Sequence, residues 1–116
     1  MGKQKKATSK TYEVRISANA LQNIDEITGY IAFIAHQPVN AIKVGDAILG
    51  TIHRIEKTPL AFRECEHLIT KSKIYRRAVC LSWLIIYKII GYEITILGII
   101  HISRKPAAIK KLKKVQ

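Results

Sequence analysis

The chain has 116 residues, of which 48% are hydrophobic and 24% are charged, and its formal net charge is +12 at pH 7. This length fits one domain, and the apolar fraction excludes an intrinsically disordered protein. The two cysteines, Cys65 and Cys80, are too few for a disulfide framework. Because the first ten residues are polar and basic and no apolar segment follows them, we expect no signal peptide, a cytoplasmic protein and reduced thiols.

The positive charge is concentrated at the two ends of the chain. Residues 1–10 contain four Lys, and residues 104–116 contain one Arg and five Lys, and neither segment contains an acid. Residues 11–103 hold ten Lys or Arg and eight Asp or Glu, which leaves a net charge of +2. Basic end segments favour a polyanion or an acidic partner, and the alternative is that they are solvated tails.

A strand and a helix are predicted at the start of the chain. Apolar and charged residues alternate over residues 12–16, as in a strand with one buried face. Ser17 then provides a helix N-cap, and Pro38 ends the helix because the residue before a proline disfavours the α conformation. One apolar stripe at helical spacing is expected to face the core. The stripe consists of Leu21, Ile24, Ile27, Ile31 and Ile34.

A second helix is predicted from about residue 39 to residue 57, where Thr58 and Pro59 stop it. Two helices joined by a short turn pack as an antiparallel hairpin. Residues 60–73 are predicted to form a polar, charged connection. The predicted buried face of the second helix consists of Ala41, Val44, Ile48, Ile52 and Ile55.

Three strands are predicted in the second half of the chain, at about residues 74–79, 83–89 and 92–101. The breaks between them are short, which predicts an antiparallel meander. The last two strands are apolar on both faces, so we expect one face to cover the helices and the other to be an interface. A membrane span is not expected here, because Lys88 and Glu93 would each cost roughly 2.5–3.5 kcal/mol in a bilayer.

The predicted fold is therefore α+β, with an N-terminal strand, a two-helix antiparallel hairpin and a three-stranded antiparallel meander. Both helices are expected on one face of a single sheet. We expect a basic disordered segment at residues 1–10, a single domain at residues 11–105, and a basic tail or short helix at residues 106–116. In that tail Ile109, Leu112 and Val115 are three residues apart. This spacing predicts a short amphipathic helix or a segment that only a partner orders.

Several short motifs follow one another along residues 12–105. They are Ser17-Ala18-Asn19-Ala20-Leu21 with Ile24, Tyr30-Ile31, Ala41, Ile55, Thr58-Pro59, Tyr75-Arg76-Arg77, Ile86-Tyr87, and Ile99-Ile100-His101 with Arg104. In this order and spacing they resemble the toxins of the RelE/ParE superfamily, and the ParE-like branch more than the RelE-like branch. The resemblance implies the toxin of a type II toxin–antitoxin (plasmid stabilisation) system. A small antitoxin, whose tail wraps the toxin surface, would hold it inactive.

The two branches imply different activities, since RelE-like toxins cut mRNA at the ribosome and ParE-like toxins inhibit DNA gyrase. RelE-like chains carry an Arg three residues before the strand Tyr, and a Tyr after the final Arg. Here Leu84 stands three residues before Tyr87, and Lys105 and Pro106 follow Arg104. Leucine can neither bind phosphate nor move a proton, and neither Lys105 nor Pro106 supplies the expected Tyr. Two catalytic positions of the RelE-like pattern are therefore unoccupied.

We therefore favour a gyrase inhibitor, which needs a binding surface and no hydrolytic site. The first alternative is a metal-independent, RelE-like mRNA endoribonuclease with a degenerate catalytic set, for which Arg77, His101 and Arg104 would be the catalytic residues. The second alternative is an inert basic binding module. The expected partners are a cognate antitoxin in a hetero-oligomer and DNA gyrase, or the ribosome and mRNA under the first alternative.

The candidate residues for binding the target or the antitoxin are Arg76, Arg77, His101, Arg104, Lys105, Ile109 and Leu112. Because Arg76 and Arg77 are adjacent in a strand, their side chains are expected on opposite faces of the sheet. No metal or cofactor is expected, since Cys65 and His67 have no second ligand pair at a metal-binding spacing.

Overall fold

A computed structural model describes residues 11–116, so the basic segment predicted at residues 1–10 lies outside the described residues. The strands are β1 (Glu13–Ile16), β2 (Arg63–Glu64), β3 (Tyr75–Cys80), β4 (Trp83–Ile90) and β5 (Glu93–His101). The α-helices are α1 (Ala18–Gly29), α2 (Pro38–Lys57) and α3 (Pro106–Lys110). Helix α1 continues as a π-helical turn (Tyr30–Ile34), α3 continues as a 3-10 turn (Lys111–Lys114), and a further 3-10 turn (Pro59–Ala61) follows α2.

The strands within residues 11–116 form one mixed, five-stranded sheet in the order β1-β5-β4-β3-β2. The α+β class and the antiparallel meander of β3, β4 and β5 are confirmed. Strand β1 pairs in parallel with β5, with Glu13 opposite Glu93. Strand β2 pairs with β3 at the other edge and lies within the segment that was predicted to be a connection.

Helix α1 begins at the predicted cap. The Ser17 Oγ accepts the backbone N–H of Ala20 at 3.0 Å and lies 3.2 Å from the Leu97 carbonyl oxygen, to which it donates. The predicted apolar stripe is wrong at both ends, since Leu21 is 51% exposed and Ile34 is 64% exposed. In the first turn the buried side chain is that of Ala20, and in the last turn the wider π-helical geometry rotates Ile34 away from the stripe.

Helix α2 has the predicted buried face. Every side chain assigned to that face is buried, and the helix ends at Thr58 before Pro59. Together with Ile24, Ile27 and Ile31 of the first helical segment, this face packs on one side of the sheet. The predicted helical hairpin on one sheet face is therefore present.

The chain itself covers the opposite face of the sheet. Side chains of β4 and β5 on that face pack against buried residues of the β2–β3 region and of the last eleven residues. The sequence analysis expected this face to be an interface, whereas the chain's own residues cover it. The cluster consists of Cys65, Leu68, Tyr75, Leu84, Ile86, Leu97, Ile100, Ile109 and Leu112. Within residues 11–116, no helix combines the length and the apolar character needed to cross a bilayer.

Candidate functional site

Strand β5 contains a bulge just beyond the point where β1 ends. Ile86 lies opposite Gly98 and Tyr87 lies opposite Ile96, so Leu97 is an extra residue in β5. An extra residue shifts the alternation of side chains along a strand. Ile96 and Ile99 consequently pack on the helix side. The shift also places His101, which pairs with Trp83, on the helix side at the end of the sheet.

Two asparagines of α1 bind the edge of β5 that β1 leaves unpaired. The Asn19 amide donates to the Leu97 carbonyl at 2.9 Å, and the Asn23 Oδ1 accepts the backbone N–H of Ile99 at 2.9 Å. These bonds satisfy backbone groups that would otherwise lack ladder partners. The sequence analysis named Asn19 only within a motif and did not name Asn23, although asparagine is a poor helix former and two copies four apart at a helix start were a usable signal.

Replacing Asn23 with alanine is expected to lower the free energy of unfolding by about 1–3 kcal/mol, because the partly buried Ile99 N–H loses its acceptor. Urea unfolding measures the change. Asn40→Ala is the matched control, since the Asn40 side chain donates to the exposed Gln37 side chain, and its effect should be within about 0.5 kcal/mol. Equal effects of the two substitutions would contradict this role of Asn23.

A cleft of about 560 Å³ opens between α1, the end of β5 and the last residues of the chain. Pockets of roughly 300–1,000 Å³ are typical of ligand sites. Three basic side chains and one carboxylate lie in its lining beside apolar groups. The lining includes Asn19, Asn23, Glu26, Ile27, Tyr30, Ile31, Trp83, His101, Arg104, Lys111 and Leu112. The structure therefore brings the predicted residues His101 and Arg104 into one site.

The ring of His101 is held by its neighbours. Its Nδ1 accepts the backbone N–H of Ser103 at 3.1 Å and lies 2.8 Å from the Ser103 hydroxyl oxygen. A backbone N–H can only donate, so Nδ1 is the acceptor and the ring proton is assigned to Nε2. Trp83 meets the ring edge to face, with centroids 6.0 Å apart. His101 thus lines the cleft with Nε2 assigned as its N–H donor.

Arg76 and Arg77 lie outside this cleft and on opposite faces of the sheet. On the helix side, Arg76 Nη1 donates to the Phe62 carbonyl at 2.7 Å. On the other side, Arg77 Nε lies 3.1 Å from the Glu66 carboxylate. Arg76 therefore fixes the backbone that leads into β2, and Arg77 is ion-paired.

The remaining candidates belong to the end of the chain. Lys105 is exposed at the start of α3. The side chains of Ile109 and Leu112 are only 5% and 6% exposed, because they pack on the sheet. Leu112 also lines the cleft, and a role of these two residues in partner binding stays a prediction.

Two buried groups titrate above their ordinary ranges. Tyr87 donates its hydroxyl to the Pro59 carbonyl and is fully buried. This burial raises the pKa of Tyr87 strongly, although the charge of Arg76 opposes the shift. Burial also raises the pKa of the Cys65 thiol, and a backbone hydrogen bond at His67 opposes it. Both groups therefore stay neutral at physiological pH.

Folding stability is expected to fall in alkaline solution. The folded state favours neutral Cys65 and neutral Tyr87. Their contribution to the free energy of unfolding is complete below the pKa of the unfolded thiol, about 8.5. It is lost as the pH rises towards the pKa values of the folded state. Urea unfolding at about pH 7, 9 and 10 measures this loss. The loss should be smaller in Cys65→Ala, and an identical pH dependence in that variant would contradict the assignment.

Within residues 11–116, no three His, Cys, Asp or Glu side chains are grouped as metal ligands would be. The polar groups of the cleft instead suit hydrogen bonds and ion pairs with a bound partner.

A helical hairpin on one face of a mixed sheet, with a cleft at the end of the last strand, defines the α+β toxin fold that the motifs implied. The family model for the ParE toxin of the type II toxin–antitoxin system parDE matches residues 14–106. The chain therefore belongs to the ParE toxin family, and the predicted resemblance is confirmed.

One solved structure with a similar fold is the chromosomal ParDE toxin–antitoxin system from P. aeruginosa. The TM-score is 0.65 at 19% sequence identity, and the alignment covers 80% of this chain and 98% of that chain. At this identity the likeness shows a shared fold. Among curated proteins, no relative matches the chain.

Proposed function

We propose that this ParE-family toxin acts in the cytoplasm by binding and inhibiting DNA gyrase, and that a cognate antitoxin neutralises it. The observation that supports a binding function most directly is the separation of Arg77 from His101. Arg77 pairs with Ile86 and His101 pairs with Trp83, three residues apart along β4 and on opposite faces of the sheet. Three residues along a strand and two strands across place them about 10 Å apart in each direction.

RNA cleavage without a metal needs an acid, a base and cations around one phosphate. The cleft lining holds Glu26, His101, Arg104 and Lys111, whereas Arg77 is ion-paired on the other face. Leu84 stands where RelE-like chains carry an arginine. Tyr87 is buried, and its hydroxyl donates to the Pro59 carbonyl. These placements favour a binding surface over a nuclease site.

The proposal is tested with purified proteins. We expect the chain to inhibit supercoiling of relaxed plasmid by gyrase and to leave mRNA intact in a translating extract. Arg104→Ala should weaken inhibition, because it removes a cation from the lining of the cleft. Lys43→Ala is the control, since Lys43 is exposed on α2 and does not line the cleft. Cleaved mRNA with normal supercoiling would contradict the proposal.

The antitoxin is proposed to cover the exposed apolar side chains around the turn between α1 and α2. Residues 27–42 contain no Asp, Glu, Lys or Arg, although 24% of the whole chain is charged. Soluble proteins rarely leave a large apolar surface uncovered. We name these side chains the hairpin patch. The patch consists of Tyr30, Phe33, Ile34, Val39 and Ile42, which are 60–77% exposed.

Phe33→Ser is expected to weaken antitoxin binding by about 2 kcal/mol or more, because a large aromatic anchor is lost from the interface. Gyrase inhibition by the free toxin should be unchanged. Isothermal titration with the purified antitoxin measures the affinity. Ile69→Ser is the control, since Ile69 is similarly exposed (71%) but lies in the loop between β2 and β3. If Phe33→Ser bound the antitoxin as tightly as the parent does, the hairpin patch would be excluded as the antitoxin-binding surface.

A further inference from the structure

The last thirteen residues present a dense array of cations to solvent. All of the basic side chains in residues 104–116 are exposed, and the segment contains no acid. The ion pairs within residues 11–116 are His53–Glu56 and Arg77–Glu66, so these cations take part in neither. We name this array the C-terminal basic surface. It consists of Arg104, Lys105, Lys110, Lys111, Lys113 and Lys114.

The segment is fixed to the body of the protein from its opposite side. Ile109 and Leu112 are buried against the sheet, and Arg15 Nη1 donates to the Gln116 carbonyl at 3.1 Å. A β-carbon at Gly98 would lie 2.8 Å from Leu112 Cδ2, so the segment packs closely where β5 has a glycine. Because the apolar side chains face inward, the lysines between them face solvent. The cations are thus presented on an anchored scaffold.

The composition of this surface distinguishes between classes of partner. Protein interfaces have an apolar core and are depleted of Lys. Here the apolar anchors Ile109 and Leu112 are already buried, and the exposed large side chains are cationic. Nucleic-acid interfaces are strongly positive, and Lys and Arg supply most contacts to phosphate oxygens. The surface therefore fits a phosphate backbone better than a protein.

We propose that the C-terminal basic surface binds the phosphate backbone of duplex DNA without reading its sequence. Six exposed cations within residues 104–114 repel one another, and a phosphate lattice removes this repulsion while releasing condensed counterions. This interaction goes beyond the proposed inhibition of gyrase, which could operate through protein contacts alone. DNA binding is measured in the absence of gyrase. A failure of the DNA-binding proposal can therefore be distinguished from a failure of the gyrase proposal.

The test uses the full chain and a fluorescein-labelled duplex of about 20 base pairs, with anisotropy measured between about 50 and 200 mM salt. The variant replaces Lys110, Lys111, Lys113 and Lys114 with Gln. Each neutralised phosphate contributes about 0.9 to the salt slope, so the slope should become shallower by about 3 to 4. Affinity at about 100 mM salt should fall at least about 30-fold.

The matched control changes four exposed lysines elsewhere to Gln, which also lowers the net charge from +12 to +8. The substituted positions are Lys43, Lys57, Lys71 and Lys73. This control should lose less than about threefold in affinity, because two of its lysines lie on α2 and two in the loop between β2 and β3. A second control replaces the four Lys of residues 1–10. Equal losses in all three variants, or a loss only in the second control, would overturn the proposal.

An oligoglutamate peptide of the same charge as the duplex distinguishes an acidic protein partner from DNA. We expect the peptide to bind more weakly at equal salt, because it lacks the regular phosphate spacing of the duplex. Binding as tight as that of DNA, lost in the same C-terminal variant, would assign the surface to an acidic protein. Circular dichroism should show the parent fold in every variant.

Discussion

Replacing Tyr87 with alanine is expected to lower the free energy of unfolding by about 3–5 kcal/mol, the cost of deleting a buried aromatic ring. The ring is fully buried on the helix side of the sheet and meets Phe62 edge to face, with centroids 6.3 Å apart. Tyr87→Phe should cost about 1–3 kcal/mol, because the Pro59 carbonyl loses its buried donor. Urea unfolding measures both losses.

The phenylalanine variant also separates a structural role from a catalytic one. If Tyr87 only holds the backbone at Pro59, toxicity should persist wherever the variant remains folded. Tyr30→Phe serves as a control, since Tyr30 is exposed and its stability should change by less than about 0.5 kcal/mol. A folded Tyr87→Phe protein without toxicity would assign Tyr87 a direct part in the activity.

Leu112→Ala is expected to lower the free energy of unfolding by about 2–5 kcal/mol, as other buried leucine truncations do. Leu112 packs with Ile109 against Leu97 and Ile100, so its loss should release the end of the chain from the sheet. Urea unfolding reports the energy, and faster amide exchange at Ile100 would report the release.

The neighbouring exposed residue provides the control for this prediction. Lys113→Ala should change stability by less than about 0.5 kcal/mol. If Leu112→Ala left stability unchanged and weakened antitoxin binding, Leu112 would be a partner contact, as the sequence analysis first suggested.

Local patterns predicted most of the elements because the signals lie within each segment. Period-two alternation located β1, and the spacing of Val44, Ile48, Ile52 and Ile55 located the buried face of α2. The π-helical turn after Gly29 lay beyond this reasoning, because it depends on packing and on the turn that leads to Pro38.

Long-range pairing accounts for what the sequence did not show in the sheet. The parallel contact of β1 with β5 joins residues about 80 positions apart, and no local pattern specifies it. The bulge at Leu97 was also not predicted. Because β5 is apolar on both faces, it has no apolar–polar alternation that a bulge could interrupt.

The candidate site was predicted only where its residues are close in sequence. His101 and Arg104 were both named as candidates and lie three residues apart, and the opposite directions of Arg76 and Arg77 were predicted from the pleat. The contacts of Asn19 with β5 arise from topology alone. Ile109 and Leu112 were predicted to contact a partner, and an amphipathic segment does not reveal whether it binds its own sheet, a partner or both.

Induced expression in a bacterium that lacks the antitoxin, with DNA supercoiling, chromosome integrity and bulk mRNA measured in one culture, tests gyrase inhibition most directly. The account predicts lost supercoiling or gyrase-linked DNA breaks while mRNA remains intact. Rapid mRNA cleavage with normal DNA would contradict it and would identify Arg77, His101 and Arg104 as candidate nuclease residues.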